Sequence, residues 1–64
     1  MKIFIEKEGK QLELSKECKG HELLAELKIN PTTVILVRNG EVTLPEETLS
    51  NKDDIVIISV VSGG

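Results

Sequence analysis

Short apolar stretches separated by polar turns make up most of this chain of 64 residues. They are only a few residues long and rich in β-branched side chains, which is typical of strands. One segment instead repeats its leucines at helical spacing. The pattern predicts strands over residues 3–5, 11–14, 33–38, 41–44 and 55–60, and a helix over residues 20–28.

The boundaries of these elements have sequence signals of their own. The apolar stripe of the predicted helix consists of Leu23, Leu24 and Leu27, and Pro31 ends the segment because the residue before a proline avoids the α region. Asn39-Gly40 predicts a two-residue hairpin turn of type I′, in which both central residues need a positive φ. The predicted order of elements along the chain is therefore strand, strand, helix, strand, short strand, strand.

This order of elements predicts an α+β fold, with the single helix packed across one face of a mixed sheet of four to five strands. The first and last strands are both apolar, so we expect them to pair in the middle of the sheet. That is the β-grasp (ubiquitin-like) arrangement. A chain this short forms one domain, which we place at residues 1–60, with a C-terminal tail at residues 61–64.

The amino-acid composition limits the classes of function that the chain can have. The net charge is −3, and the chain has one Phe and no Tyr or Trp, whereas nucleic-acid-binding domains are usually basic and use aromatic side chains to stack on bases. A single cysteine is typical of a reducing compartment. The N-terminal residues do not resemble a signal peptide, and the longest apolar run is too short to span a bilayer. We expect a cytoplasmic protein without membrane contact.

Side-chain alternation predicts which sheet face the helix leaves open. Ile3 and Ile5 would face the helix, as would Ile55 and Ile57. If Arg38 faces solvent, the residues two and four positions before it do so as well. The predicted open apolar residues are Phe4, Val34, Leu36, Val56 and Ile58. A contiguous exposed apolar surface usually marks a partner site, whereas an error of one residue in the register would bury these side chains instead.

Other reactive residues have plainer interpretations. Cys18 is either a redox site or a small packed side chain near the helix start, and packing is favoured. His21 lacks metal-ligand partners at suitable spacing and is read as a surface residue. Asp53 and Asp54 form a turn in preference to a metal pair. No nucleotide-binding motif or catalytic triad is present. We therefore predict no bound cofactor, no metal and no catalytic residue.

The chain resembles the ThiS/MoaD family of ubiquitin-like sulfur carriers over nearly its whole length. The matching stretches are His21-Glu22-Leu23-Leu24, Val37-Arg38-Asn39-Gly40-Glu41, Lys52-Asp53-Asp54-Ile55 and Val60-Val61-Ser62-Gly63-Gly64. Gly20 stands where the family usually has an apolar residue, and Cys18 could fill that part of the core. Asp53 replaces a turn glycine and would need to tolerate a left-handed backbone. The segment between Asn39-Gly40 and the last strand is shorter than in typical thiamin-pathway members of the family. The resemblance therefore does not assign the chain to thiamin synthesis in particular.

The resemblance implies that the protein is a substrate of other enzymes. In this family the terminal carboxylate, here that of Gly64, is adenylated by an E1-like adenylyltransferase (ThiF/MoeB-like) and becomes a thiocarboxylate that donates sulfur. Ser62 and Gly63 would form the slim approach to it. Sulfur donor and acceptor enzymes are the further partners, and thiamin, molybdopterin and tRNA thiolation remain open as destinations.

Two alternatives follow from the same sequence. The chain could be a ubiquitin-like modifier that is joined through Gly64 to lysines of target proteins. It could also be a β-grasp interaction module whose C-terminus undergoes no chemistry, since chain ends are usually tolerant of change. In each case we expect a monomer when the protein is free.

Overall fold

The computed structural model describes residues 1–60. The strands are β1 (Lys2–Ile5), β2 (Lys10–Glu13), β3 (Cys18–Lys19), β4 (Val34–Arg38), β5 (Glu41–Thr43), β6 (Thr48–Leu49) and β7 (Asp54–Ser59). One α-helix, α1, spans Gly20–Glu26, and a 3₁₀ turn spans Pro31–Thr33. The predicted tail at residues 61–64 lies outside the described residues.

Five of the strands form one sheet in the order β2-β1-β7-β4-β5. β1 and β7 pair in parallel at its centre, and every other pair in this sheet is antiparallel. The sheet is therefore mixed, and the first and last of its strands are adjacent, as the sequence predicted. With one helix across one face, this is the β-grasp fold.

A second, two-stranded sheet was missed at the sequence level. β3 pairs with β6 in antiparallel fashion, and Cys18 lies opposite Leu49. Leu49 is fully buried, although the sequence pattern predicted no strand between residues 44 and 55. This ladder holds the segment before the helix against the segment before β7.

The hairpin between β4 and β5 has the predicted backbone. Asn39 and Gly40 have φ values of 51° and 86°, so both central residues are left-handed, as a type I′ turn requires. Asn39 fits this position because its short polar side chain can bond locally. Its side chain also contacts Asp53, as described below.

Side-chain burial defines a single core between the helix and the main sheet. Its buried apolar members are Met1, Ile3, Ile5, Leu23, Leu24, Leu36, Leu49, Ile55 and Ile57. The prediction that Ile3, Ile5, Ile55 and Ile57 face the helix is thus confirmed. No helix within residues 1–60 is long and apolar enough to cross a membrane.

The helix begins and ends with specific backbone contacts. At its start, the Glu22 carboxylate accepts a hydrogen bond of 2.8 Å from the backbone N–H of Lys19. At its end, Ile29 N–H donates to the Leu24 carbonyl at 2.8 Å and Lys28 N–H to the Ala25 carbonyl at 3.1 Å. This pair of bonds is a Schellman motif. Lys28 holds the left-handed position, with a φ of 61°, where glycine is usual.

Gly20, at the first helical position, allows the helix to approach the sheet closely. A Cβ at this position would lie 2.6 Å from Leu36 Cδ1 and 3.0 Å from Pro45 Cα. The space that an apolar side chain would occupy here is thus filled from the opposite side by Leu36. The expectation that Cys18 fills it needs correction, although Cys18 does pack against the edge of the core.

Asp53 supports the turn before β7 through its side chain. Its carboxylate accepts a hydrogen bond of 2.8 Å from Ser50 N–H and one of 2.9 Å from Asn39 Nδ2. Asn39 Oδ1 in turn accepts from Asp54 N–H at 2.9 Å. Asp53 has no positive φ, so the expected left-handed backbone is wrong: the residue serves here as a hydrogen-bond acceptor that a glycine could not replace.

Candidate functional site

The two candidate parts of the site are the C-terminal residues and the sheet face that the helix leaves uncovered. Ser62, Gly63 and Gly64 lie outside the described residues, so their role stays a prediction. The structure does place the root of this segment: β7 ends at Ser59, and Val60 N–H donates to the Thr33 carbonyl at 2.9 Å. Val60, the last described residue, therefore lies at the end of the sheet where β4 begins.

The uncovered side of the main sheet carries apolar residues from four adjacent strands. Cross-strand pairing places Phe4 beside Val56, Val56 beside Val37, and Ile58 beside Ile35. Val42 of β5 extends the row beyond Val37. We call this surface the open face; its apolar members are Phe4, Ile35, Val37, Val42, Val56 and Ile58.

Exposure is graded across the open face. Val42 is 72% exposed, and Phe4 and Ile35 are 38% and 39% exposed. Val37, Val56 and Ile58 are half-buried. Val37 and Val56 each have a cross-strand neighbour on both sides. The side chains beyond Phe4 are polar: Gln11 of β2 lies opposite Phe4. A shallow hollow of about 230 Å³ beside Phe4 is also lined by Lys2 and Asp54.

The sequence-level assignment of this face was wrong for β4. Leu36 is only 2% exposed and belongs to the core, and Val34 packs against the same core. The error came from Arg38, which shares their side of the strand. Arg38 ends β4, so its long side chain reaches past the core, and its Nη1 donates to the Thr48 carbonyl at 3.1 Å.

Ile35 and Val37 therefore replace Val34 and Leu36 on the open face, while Phe4, Val56 and Ile58 stay there. Sequence reasoning missed Ile35 and Val37 because four consecutive apolar residues fill this strand, so alternation cannot choose between its two sides. The two-residue turn does place Val37 opposite Val42. The pairing shows that Val37 and Val42 lie on the same face of the sheet, but it does not show which of the two faces this is.

The remaining reactive residues lie away from the open face. His21 is exposed at the helix start, where its backbone N–H donates to the Pro45 carbonyl at 2.8 Å. Cys18 is half-buried, and burial raises the pKa of its thiol, with Lys16 acting in the opposite direction. A raised pKa disfavours the thiolate and with it nucleophilic reactivity. Within residues 1–60, no three His, Cys, Asp or Glu side chains are grouped so as to hold a metal ion.

Comparison with known proteins identifies the family. The family model described as "ThiS family" matches residues 3–64. The chain belongs to the ThiS family. The match includes Gly63-Gly64, and it confirms the resemblance that the sequence motifs indicated.

A curated relative and a solved structure agree with this membership. The chain is 35% identical over 57 residues to the sulfur carrier protein TtuB of Thermus thermophilus, covering 89% of this chain and 88% of that protein. A thiamine biosynthesis protein from Geobacter metallireducens, solved in solution by NMR, superposes with a TM-score of 0.61 at 23% identity, covering 100% of this chain and 88% of that one. The second likeness supports the β-grasp fold of this ThiS-family member.

Proposed function

We propose that this protein is a sulfur carrier whose Gly64 carboxylate is activated by an E1-like adenylyltransferase and converted to a thiocarboxylate. The observation that carries the proposal is the family match, which runs through the terminal Gly63-Gly64. The curated relative that covers most of the chain is itself named as a sulfur carrier. The protein would be the substrate of this chemistry, and the catalytic groups would belong to its partners.

The chemistry needs an activated carboxyl group. A free carboxylate is a poor electrophile, because a nucleophile would add to a group that already carries negative charge. Transfer of AMP from ATP releases pyrophosphate and leaves a neutral acyl carbon with a good leaving group. A sulfur nucleophile then displaces AMP. If it is hydrosulfide, loss of its proton gives the thiocarboxylate on Gly64 directly. If it is a persulfide of the donor enzyme, an acyl disulfide forms, and a thiol must cleave its S–S bond, which leaves the thiocarboxylate on Gly64 and a new disulfide between the thiol and the donor.

The terminal glycines suit this reaction because it would take place inside the partner enzyme. Gly63 and Gly64 have no Cβ, so they can enter a narrow channel with any backbone angle. Fixing the backbone costs about 1–2 kcal/mol per residue. Contacts between the partner and the folded domain must offset that cost, so a sizeable docking surface on residues 1–60 is expected.

The open face is our candidate for that surface. It carries six apolar side chains from adjacent strands, and exposed contiguous apolar surface usually marks an interaction site. Ile35 and Ile58 lie at the end of the sheet from which the C-terminal segment leaves. A partner that covers this face could therefore receive the C-terminus at the same time.

The decisive experiment is intact-mass analysis of the protein isolated from its native host. A mass increase that corresponds to the replacement of one oxygen by sulfur at Gly64 supports the carrier. Peptide mass spectrometry of the host proteins tests the modifier function: because Lys52 is the last tryptic site of the chain, lysines that carry residues 53–64 after trypsin digestion support the modifier instead. If Gly64 is never modified and its deletion has no effect in the host, neither function holds and the interaction module is the better account.

A second experiment tests the docking surface with the E1-like enzyme and ATP. Phe4→Ala and Ile35→Ala should raise the KM for the carrier in pyrophosphate release. Leu44→Ala is the control, because Leu44 is 58% exposed but lies outside the paired strands of the sheet. Gly64→Ala should impair activation while leaving the unfolding temperature unchanged. Equal KM values for the Phe4, Ile35 and Leu44 variants would contradict docking through the open face.

A further inference from the structure

A groove lies at the root of the C-terminal segment, on the helix side of the sheet. Its volume is about 230 Å³. We call it the root groove; its apolar lining is Ile5, Ile29, Val34 and Ile57, and its two exposed cations are Lys7 and Lys28. Ser59, the last residue of β7, also lines it. The groove thus lies beside the point where β7 ends.

The charge of the root groove differs from that of the molecule. The whole chain carries −3, whereas the charged side chains lining the groove are two lysines and one glutamate, Glu8. Within residues 1–60 the one ion pair is between Lys16 and Glu26. Neither groove lysine is therefore neutralised by a carboxylate at contact distance in the described part of the chain.

Lys28 shows a second unusual feature. Its φ of 61° is left-handed, at the helix-ending position where glycine is the common residue. A left-handed backbone costs an L-residue free energy that glycine avoids. Strained positions are a reason to ask what the side chain does, and here the side chain lines the root groove.

The root groove lies next to the open face, which is the proposed docking surface. Val34 and Ser59 line the groove from one side of the sheet, and their chain neighbours Ile35 and Ile58 lie on the open face. An enzyme that covers the open face and receives the C-terminal segment must pass the end of the sheet. The groove opens beside that path.

We propose that the root groove is a second docking site, which receives an acidic loop of the activating enzyme. An apolar side chain of that loop would rest on Ile29 and Val34, and its carboxylates would pair with Lys7 and Lys28. Contacts on both sides of the segment's root would fix the direction in which Gly64 leaves the domain. This inference rests on the proposed function.

The test measures pyrophosphate release by the E1-like enzyme of the source organism as a function of carrier concentration. Lys7→Glu combined with Lys28→Glu should raise the KM on the order of tenfold at low salt and leave kcat unchanged, because charged contacts at an interface act mainly on encounter and register. The difference should shrink as salt is added. Lys19→Glu combined with Lys52→Glu is the control matched for net charge, since both lysines are exposed and neither lines the groove.

A single substitution separates a docking role of Lys28 from a structural one. Lys28→Gly relieves the left-handed backbone but removes the ammonium group, so the KM should rise a few-fold although the fold is intact. Lys28→Arg should keep the wild-type KM. If Lys28 had only a structural role, both folded variants would keep the wild-type KM.

The outcomes distinguish this inference from the proposed function. If the wild-type chain is never adenylated, both are overturned. If it is adenylated and the double charge reversal in the groove changes the KM less than twofold, or no more than the control in which Lys19 and Lys52 are reversed, only the root groove is excluded as a docking site. Unfolding curves of all variants show whether a change in KM reflects a change in folding.

Discussion

The two faces of the main sheet differ most clearly at two neighbouring residues of β4. Leu36 is 2% exposed and packs in the core, whereas Ile35, one position earlier, is 39% exposed on the open face. Both are branched aliphatic residues of the same size, so composition does not separate them. The side of the strand decides their roles: Leu36 is expected to stabilise the fold, and Ile35 to contact a partner.

Polar contacts separate the two faces as well. On the helix side, Gly20 and the Glu22 carboxylate fix where the helix lies against the sheet. On the open side, the apolar residues are arranged only by strand pairing. Apart from the root groove at its edge, the helix side thus serves folding, while the open face keeps apolar area available for binding.

The largest expected effect tests this comparison directly. Leu36→Ala should lower the free energy of unfolding by about 2–5 kcal/mol, because it leaves a cavity between the helix and the sheet. Ile35→Ala should lower it by at most about 1 kcal/mol, since the side chain is already partly in water. Urea denaturation of the two variants measures both values. Equal losses would contradict the assignment of the two faces.

In a domain of this size the total stability is small, and Leu36→Ala could leave too little folded protein to measure. Leu36→Val, compared with Ile35→Val, then serves as the milder pair. The buried substitution should again be the more costly one.

Gly20 gives the second largest effect. A glycine-to-alanine change inside a helix usually stabilises it by about 1 kcal/mol. Here the new methyl group would meet Leu36 Cδ1 at 2.6 Å and the Pro45 backbone at 3.0 Å, so Gly20→Ala should destabilise by about 1–3 kcal/mol.

A double variant shows whether Leu36 causes this loss. Adding Leu36→Val to Gly20→Ala should recover part of the stability, because valine is shorter, while the contact with Pro45 remains. A double variant whose loss equals the sum of the two single losses would rule out a shared clash.

The course of the chain and the β-grasp fold were predictable because each element has a local cause. The Asn39-Gly40 turn follows from its need for positive φ, and the helix follows from the spacing of Leu23, Leu24 and Leu27. The central pairing of β1 and β7 follows from their apolar character. The turn and the helix depend on neighbouring residues, and the pairing was predicted from the composition of each of the two strands, so the sequence pattern contains all three features.

The orientation of β4 and the short β3–β6 ladder depend on tertiary contacts instead. Val34 to Val37 are all apolar, so the pattern contains no difference between the two sides, and Arg38 suggested the wrong one. The β3–β6 ladder has only two residues in each strand, too few for a periodic pattern. The corrected open face therefore had to come from the strand register.

The turn at Asp53 ties the hairpin of β4 and β5 to the start of β7. The hydrogen bond from Ser50 N–H, followed by that from Asn39, lowers the pKa of the Asp53 carboxyl group. Asp53→Asn replaces one accepting oxygen by a donor and should destabilise the protein by about 0.5–1.5 kcal/mol at neutral pH. Asp54→Asn, the same change one position later, should have a smaller effect.

The contribution of Asp53 to the free energy of unfolding depends on pH in a defined direction. Because the folded-state pKa is lowered, the stabilisation is complete above the ordinary aspartate pKa of about 3.9 and is lost as the pH falls through the lowered value. Asp53→Asn should therefore lose less stability than the wild type below about pH 4. Glu47, whose pKa is also lowered by its bonds to Thr43 and Leu44, titrates in both proteins. Parallel acid-unfolding curves would contradict the role of Asp53.

The smallest expected effect concerns the end of the helix that covers the core. Lys28 adopts a φ of 61° between two Schellman hydrogen bonds, and glycine holds this conformation without a steric penalty. Lys28→Gly should raise the free energy of unfolding by about 0.5–1 kcal/mol, part of the gain being offset by the greater freedom of glycine in the unfolded chain. Lys28→Ala is the control, because alanine removes the charge but keeps the Cβ. If the alanine and glycine variants had equal stability in urea, the left-handed backbone at this position would not limit the stability of the protein. A gain seen only with glycine would show that the left-handed backbone does limit it, and that lysine at this position has a measurable cost to folding.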